Sequence, residues 1–304
     1  MSSLQGEYVG WVSGGYRRAR LGLQLAATGQ ETYRATLLPG GLPGEGARME
    51  EAERVETRAS DIFVRCVALG HRVWITPSEA RVMTPDGVLR GILHKTNRQS
   101  PSLGAAPPAE AIVIFDGTDT GELIDPMISK DGLLHEGSIT RRNVRDFFLH
   151  AEFRIPLMPD STAQSRGNSG LYLQRRYEVQ ILDSFGLKGT ASECGGLYRQ
   201  CRPDVNACLP PSVWQTYDIE FRAARYNTTG TDGVADASNV LEKTENARIT
   251  VRHNGIVIHD DVELSNKTGA GLSEGPQSLP IWFQDHGDPV RFRNVWMILR
   301  GDQE

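Results

Sequence analysis

Long apolar stretches, basic blocks and helical repeats are all missing from this sequence of 304 residues. No apolar run approaches the roughly 18–20 residues that a membrane span needs, so no membrane span is predicted. The net charge is −5 and the basic residues are not clustered, which argues against a nucleic-acid partner. No segment keeps a hydrophobic period of 3.6 residues for more than a couple of turns, which argues against a helical protein.

Cysteine is scarce, and its spacing indicates no cofactor. Cys194, Cys201 and Cys208 lie in one loop-like stretch, CGGLYRQCRPDVNAC, while Cys66 stands far away. The closely paired cysteines of zinc sites are missing. A local Cys201–Cys208 disulfide, which would favour an oxidising compartment, and free buried thiols both remain open. The acidic run DGTDTGELID could hold a divalent cation such as Ca²⁺, but it carries no clear binding motif, and isolated Asp residues commonly form turns.

Short strands separated by Gly- and Pro-rich turns dominate what is present, which predicts an all-β protein. Residues 1–96 are expected to form a small β-barrel-like domain, with one helix-like patch, RMEEAERVE, at 48–56. Residues 97–110, NRQSPSLGAAPPAE, have the composition of a linker. Residues 111–304 carry about a dozen alternating strands, which predicts a two-sheet sandwich or jelly roll.

One segment, RGNSGLYLQRRYEVQILDS at residues 166–184, indicates a polar sheet face. A three-residue turn at its centre would pair two antiparallel strands, with Tyr172 opposite Glu178 and Gly170 opposite Gln180. We expect Gly170 to leave a gap in which a ligand approaches the backbone. Because side chains alternate, one surface carries the polar residues Asn168, Tyr172, Glu178 and Gln180.

Later segments divide in the same way. In the segment LPIWFQDHG, strand alternation places three side chains on one face of the sheet: Trp282, Gln284 and His286. Aromatic rings that stack on sugars and planar polar groups that bind hydroxyls are typical of carbohydrate clefts. The alternative is an ordinary solvated sheet face, which is the expectation for Asp218, Glu220 and Arg222.

The stretches DFFLHAEFRIP, RGNSGLYLQRRYEVQILDSFG, CGGLYRQCRP, WQTYDIEF, ITVRHNGIVIH and FQDHGDPVRFRNVWM together resemble the 3-keto-disaccharide hydrolase family. The resemblance covers residues 111–300 and implies a concanavalin A-like jelly roll with a glycan-handling concave face. It also implies a secreted or periplasmic protein, although MSSLQGEYVGWV has no leader pattern. The family's opening motif contains a Trp that FDGTDTGELID lacks, so the first strand gives no expectation of a substrate contact.

The resemblance implies an enzyme that cleaves oligosaccharides or other glycosides oxidised at C3. A base removes the C2 proton, the enolate expels the C1 substituent, and water adds afterwards, so no carboxylate pair is needed. We expect Glu178 or His286 to act as base, with the other as acid, and Arg291 or Arg154 to stabilise the enolate. The residues expected to bind and orient the substrate are Asn168, Tyr172, Gln180, Gln284 and Trp282.

Two other functions are compatible with the same fold. A non-catalytic carbohydrate-binding module would use the aromatic and amide groups without proton transfer. A protein-interaction domain would need a large exposed apolar patch, which the strand alternation does not indicate.

Overall fold

A computed structural model describes residues 3–14, 17–60, 63–229 and 240–301. Eight antiparallel strands close into a barrel: β1 (Gly6–Gly14), β2 (Arg17–Ala27), β3 (Thr32–Pro39), β4 (Glu53–Ser60), β5 (Phe63–Ala68), β6 (His71–Ile75), β7 (Glu79–Met83) and β8 (Leu89–Thr96). Alternate side chains such as Tyr8, Leu23 and Leu37 fill its interior. Strand β1 pairs with β8, where Gly10 and Gly91 allow the two backbones to approach closely.

The helix expected at residues 48–56 is wrong. The patch has one 3₁₀ turn, Met49–Glu51, and then enters β4, which pairs with β3 along its length. Ladder hydrogen bonds and the closure of the barrel override the local helix preference of the Glu-rich sequence.

The rest of the chain forms two packed sheets. The five-stranded sheet has the order β10 (Leu123–Ile124), β12 (Ile139–Thr140), β21 (Trp282–Phe283), β14 (Ser169–Leu173) and β15 (Tyr177–Ile181). The seven-stranded sheet has the order β11 (Leu134–His135), β22 (Arg291–Arg300), β13 (Asp146–Arg154), β16 (Trp214–Arg222), β19 (Ala247–His253) and β20 (Ile256–Leu264), with β9 (Ile112–Phe115) beside β22. A ribbon joins β17 (Arg225–Thr229) to β18 (Val240–Glu245), and a 3₁₀ turn spans Ala163–Ser165.

One hydrophobic core lies between the two sheets. Leu171 and Val179 contribute from the five-stranded sheet, and Leu149, Ile219 and Phe292 contribute from the seven-stranded one. The predicted jelly roll behind a small all-β domain is confirmed. None of the helices among the described residues is long and apolar enough to cross a membrane.

The linker (residues 97–110) is packed against the outer face of the seven-stranded sheet. The Ser102 hydroxyl donates to Asp218 Oδ2 at 2.6 Å, and the Gly104 N–H donates to Glu152 Oε1 at 2.5 Å. Asp218 is therefore only 9% exposed, which corrects its expected place on a solvated face. The His150 ring lies between the two carboxylates, with Nδ1 2.6 Å from Asp218 Oδ1.

The four cysteines are free thiols. Cys208 contacts the buried Cys194 and not Cys201, so the Cys201–Cys208 disulfide considered from the sequence is not present. Burial raises the pKa of the Cys66 thiol to about 12, which makes it unreactive.

We therefore expect a thiol reagent such as DTNB to modify one cysteine of the native protein quickly, the partly exposed Cys201. All four should react after denaturation without a reductant. Cys201→Ser should abolish the fast phase. Recovery of only two thiols from the denatured protein would contradict the free-thiol state.

Candidate functional site

Strands β14, β15 and β21 lie side by side in the five-stranded sheet and carry the predicted polar residues. Tyr172 pairs with Glu178 on one side and with Trp282 on the other, and Gly170 pairs with Gln180. The turn between β14 and β15 spans residues 174–176, as predicted. Alternation places these side chains on the outer face of the sheet, because the intervening residues belong to the core.

The Glu178 carboxylate lies at the centre of this face. Its Oε2 accepts a hydrogen bond from the Tyr172 hydroxyl at 2.8 Å. Its Oε1 lies over Gly170, where an added Cβ would be 2.5 Å from that oxygen. The gap expected at Gly170 is therefore occupied by the carboxylate, and this corrects the expectation that a ligand approaches the backbone there.

A loop crosses over the carboxylate and shields it from solvent. We call residues 266–271 the cover segment. The Ala270 N–H donates to the Tyr172 hydroxyl oxygen at 3.1 Å. Gly269 has a φ of +43°, and a Cβ there would lie 2.8 Å from Glu178 Oε2. Glycine is thus needed at this position both for the backbone conformation and for the close approach.

Burial gives Glu178 unusual acid–base properties. Glu178 is only 2% exposed, and the resulting desolvation raises the pKa of its carboxyl group to about 7. The hydrogen bond from Tyr172 lowers this pKa, but its effect is the smaller of the two. Burial and the nearby Glu178 charge also raise the pKa of Tyr172, so its hydroxyl stays a hydrogen-bond donor. A carboxyl group that titrates near neutral pH is suited to accepting and returning a proton.

Amide side chains lie on the same sheet face as the carboxylate. The backbone N–H of Gln284 donates to the Gly170 carbonyl at 2.8 Å, and the side-chain amides of Asn168 and Gln180 donate to Gln164. Asn168 Oδ1 and Gln284 Oε1 are buried and accept no hydrogen bond within the described part of the chain. Two unsatisfied acceptors beside one carboxylate fit a ligand that brings hydroxyl groups.

The loop after β21 lies beside the start of β14. Asp288 Oδ2 accepts the Asn168 N–H at 2.7 Å, which holds this loop in place. His286 lies in the loop between Gln284 and Asp288, and its side chain is exposed. Trp282 is half-buried, with its ring 5.0 Å from that of Tyr172.

Arg291 and Arg154 are not brought to this group. They pair with each other in the seven-stranded sheet, on the face turned away from the core. Arg291 contacts Glu136 at 3.1 Å, and the Arg154 guanidinium lies 5.0 Å from the Trp214 ring centre. Because the outer faces of two packed sheets point in opposite directions, neither arginine is carried into the function proposed below.

The residues described by the structure contain no group of three His, Cys, Asp or Glu side chains that could hold a metal ion. In the acidic run considered for Ca²⁺, Asp116 Oδ1 accepts the backbone N–H groups of Thr118 and Asp119. Asp116 therefore has the turn-forming role that its sequence context favours.

The residues missed by sequence reasoning all lie outside strands. Gln164 comes from the 3₁₀ turn, Asp288 from the loop after β21, and Gly269 from the cover segment. Strand alternation carries no information about such positions. The GAG run at 269–271 was the one available signal, because clustered small residues allow a close approach.

The sequence pattern of the 3-keto-alpha-glucoside-1,2-lyase-like domain matches residues 110–298. A solved structure of a candidate glycosyl hydrolase from Parabacteroides distasonis is 28% identical over 63% of this chain and 84% of that chain, with a TM-score of 0.54. A second one from the same organism is 18% identical over 63% of this chain and 94% of that one, with a TM-score of 0.44. No curated protein matches the chain. Through residues 110–298, the chain belongs to the 3-keto-alpha-glucoside-1,2-lyase-like domain family.

Proposed function

We propose that this protein is a carbohydrate-active enzyme that cleaves 3-keto-glycosides by C2 proton abstraction and elimination at C1. The observation that carries the proposal is the Glu178 carboxyl group, whose pKa is raised to about 7 among unsatisfied amide acceptors. Membership of the family and the likeness to a candidate glycosyl hydrolase support a glycoside as substrate.

In the proposed reaction the Glu178 carboxylate takes the C2 proton, and the C–H electron pair moves toward the C3 carbonyl to give an enolate. The C1–O bond then breaks, which leaves a C1–C2 double bond conjugated with the ketone. His286 protonates the departing oxygen, and water addition to the double bond completes a net hydrolysis. The amide N–H groups of Gln180 and Gln284 take the enolate-binding role first assigned to Arg291.

Substrate entry requires a change in the cover segment. Glu178 is 2% exposed, so a sugar C2 contacts its carboxylate only after residues 266–271 move aside. Their return would exclude water while the enolate exists, which favours elimination over side reactions.

The direct test compares a 3-keto-disaccharide with its unoxidised parent. We expect release of a monosaccharide from the keto sugar alone, because only the ketone acidifies the C2 proton. Release from the parent alone, or from neither sugar, contradicts the proposal. Saturable binding without any product would instead favour the carbohydrate-binding module, for which the half-buried Trp282 is the supporting observation.

The rate should depend on pH in a definite direction. Glu178 must be deprotonated to accept the C2 proton, so kcat/KM should rise as the pH increases toward about 7. The measurement is a profile of kcat/KM from pH 5 to 8, with protein integrity checked at each value. A steady fall over this interval would exclude Glu178 as the base.

A further inference from the structure

A cavity of 340 Å³, lined by both polar and apolar side chains, lies between the barrel and the jelly roll. Thr28 and Arg34 line it from the barrel. The jelly roll contributes Gln164, Leu187 and Glu193 among others. Its volume is within the range of about 300–1,000 Å³ that is usual for ligand pockets.

The walls of this cavity are held together by buried contacts. Arg166 donates to Asp183 Oδ2 and to the Ala27 carbonyl of the barrel, both at 2.7 Å. The Thr36 hydroxyl of the barrel donates to the Gly186 carbonyl at 2.8 Å. The barrel is therefore fixed as one wall of the cavity and is not a loosely attached neighbour.

Gln164 connects the cavity with the candidate site. Its Oε1 accepts hydrogen bonds from Asn168 Nδ2 and Gln180 Nε2, both at 3.3 Å. Its own Nε2 donates to the Ser192 carbonyl on the opposite wall at 2.9 Å. Hydrogen-bonded amides thus link the wall of the cavity to the sheet face on which Glu178 lies over Gly170.

The charged side chains around the cavity already have ion-pair or hydrogen-bond partners, which favours an uncharged ligand. Arg34 contacts Glu56 at 2.8 Å, and Arg166 contacts Asp183. Glu193 accepts the Gly189 N–H at 2.6 Å. Side chains that keep donors and acceptors at the wall without a net charge suit a neutral polyhydroxyl compound.

We propose that this cavity binds the leaving-group sugar of the substrate, so that the barrel supplies part of the specificity. This proposal rests on the function proposed above. The oxidised ring would lie under the cover segment, beside Glu178, and the second ring would lie beyond Gln164 against Thr28 and Arg34. A glycoside with a small aglycone would leave the cavity unused.

The test measures binding by calorimetry in the Glu178→Gln background, which prevents turnover. The two ligands are a 3-keto-disaccharide and the corresponding methyl 3-keto-glycoside. Thr28→Trp, which fills the cavity from a half-buried position, should weaken disaccharide binding about tenfold or more and leave the methyl glycoside unchanged. Arg34→Ala should act in the same direction.

The matched control is Arg20→Ala, which removes a barrel arginine that is also paired with a glutamate but lies outside the cavity. It should change neither affinity. The proposed subsite is contradicted if Thr28→Trp and Arg34→Ala bind the disaccharide with unaltered affinity. It is also contradicted if the protein binds neither sugar. The two proposals can fail separately. If the protein with Glu178 intact does not cleave the keto sugar, but Thr28→Trp and Arg34→Ala still weaken disaccharide binding alone, the proposed reaction is wrong and the subsite is supported.

Discussion

Replacing Glu178 with glutamine should lower kcat by about 10²–10⁴-fold, the range expected when a general base is lost. Glutamine keeps the shape of the side chain, and its amide oxygen can still accept the Tyr172 hydrogen bond of 2.8 Å. The loss should therefore come from the missing proton acceptor. Steady-state kinetics with a 3-keto-disaccharide measure it.

The same substitution should stabilise the folded protein at alkaline pH. The pKa of Glu178 rises from 4.5 to about 7 on folding, chiefly through burial. Between these values the native state keeps a proton that the unfolded state loses, so stability falls as the pH rises. Well above pH 7 the penalty approaches about 3 kcal/mol, and Glu178→Gln removes it.

Urea unfolding at pH 5 and pH 8 separates this effect from a general change in packing. The variant should gain stability over the wild type at pH 8 and much less at pH 5. Glu220→Gln is the matched control, because Glu220 is an exposed carboxylate on the other sheet and should change neither rate nor stability. A Glu178→Gln protein with wild-type kcat would move the catalytic base elsewhere.

Replacing Arg166 with methionine should cost about 3–5 kcal/mol of unfolding free energy, the range for removing one partner of a buried ion pair. Asp183 is 4% exposed, and burial raises its pKa even with Arg166 present. Without the arginine, the folded protein must bury an unpaired carboxylate or protonate it. The Ala27 carbonyl also loses its hydrogen bond across the domain boundary.

Equilibrium unfolding in urea measures this loss, which should grow as the pH rises. Without Arg166 the folded protein keeps the Asp183 proton that the unfolded chain releases, so a higher pH favours unfolding. Adding Asp183→Asn to Arg166→Met should recover part of the stability. Arg20→Met is the control, since its exposed pair with Glu45 should contribute under about 1 kcal/mol. Equal losses of unfolding free energy in Arg166→Met and Arg20→Met would show that the buried ion pair contributes no more to stability than the exposed one.

Strand parity correctly predicted which side chains of β14 and β15 share one sheet face. Tyr172 and Glu178 face each other because a three-residue turn fixes the register, and the period of two then determines the side of every neighbour. Parity does not say which sheet a strand joins. Arg291 alternates with Phe292 as expected, but its strand belongs to the seven-stranded sheet, so the arginine lies away from Glu178.

Burial was the other property that local sequence could not supply. The Glu178 side chain was expected on an open face, and the cover segment that raises its pKa comes from about ninety residues further along the chain. Asp218 was expected in solvent for the same reason, since alternation reports the face of a strand and not what later or earlier segments place over it. Such coverage depends on tertiary contacts.

The packing of residues 97–110 on the seven-stranded sheet affects how the protein can be divided. A fragment that starts at residue 111 would uncover Asp218 and Glu152, which lose the Ser102 and Gly104 donors. It would also leave the indole N–H of Trp296 without the Ala105 carbonyl. A fragment that contains the jelly roll should therefore begin upstream of Ser100, so that it keeps the segment packed on the outer face of the seven-stranded sheet.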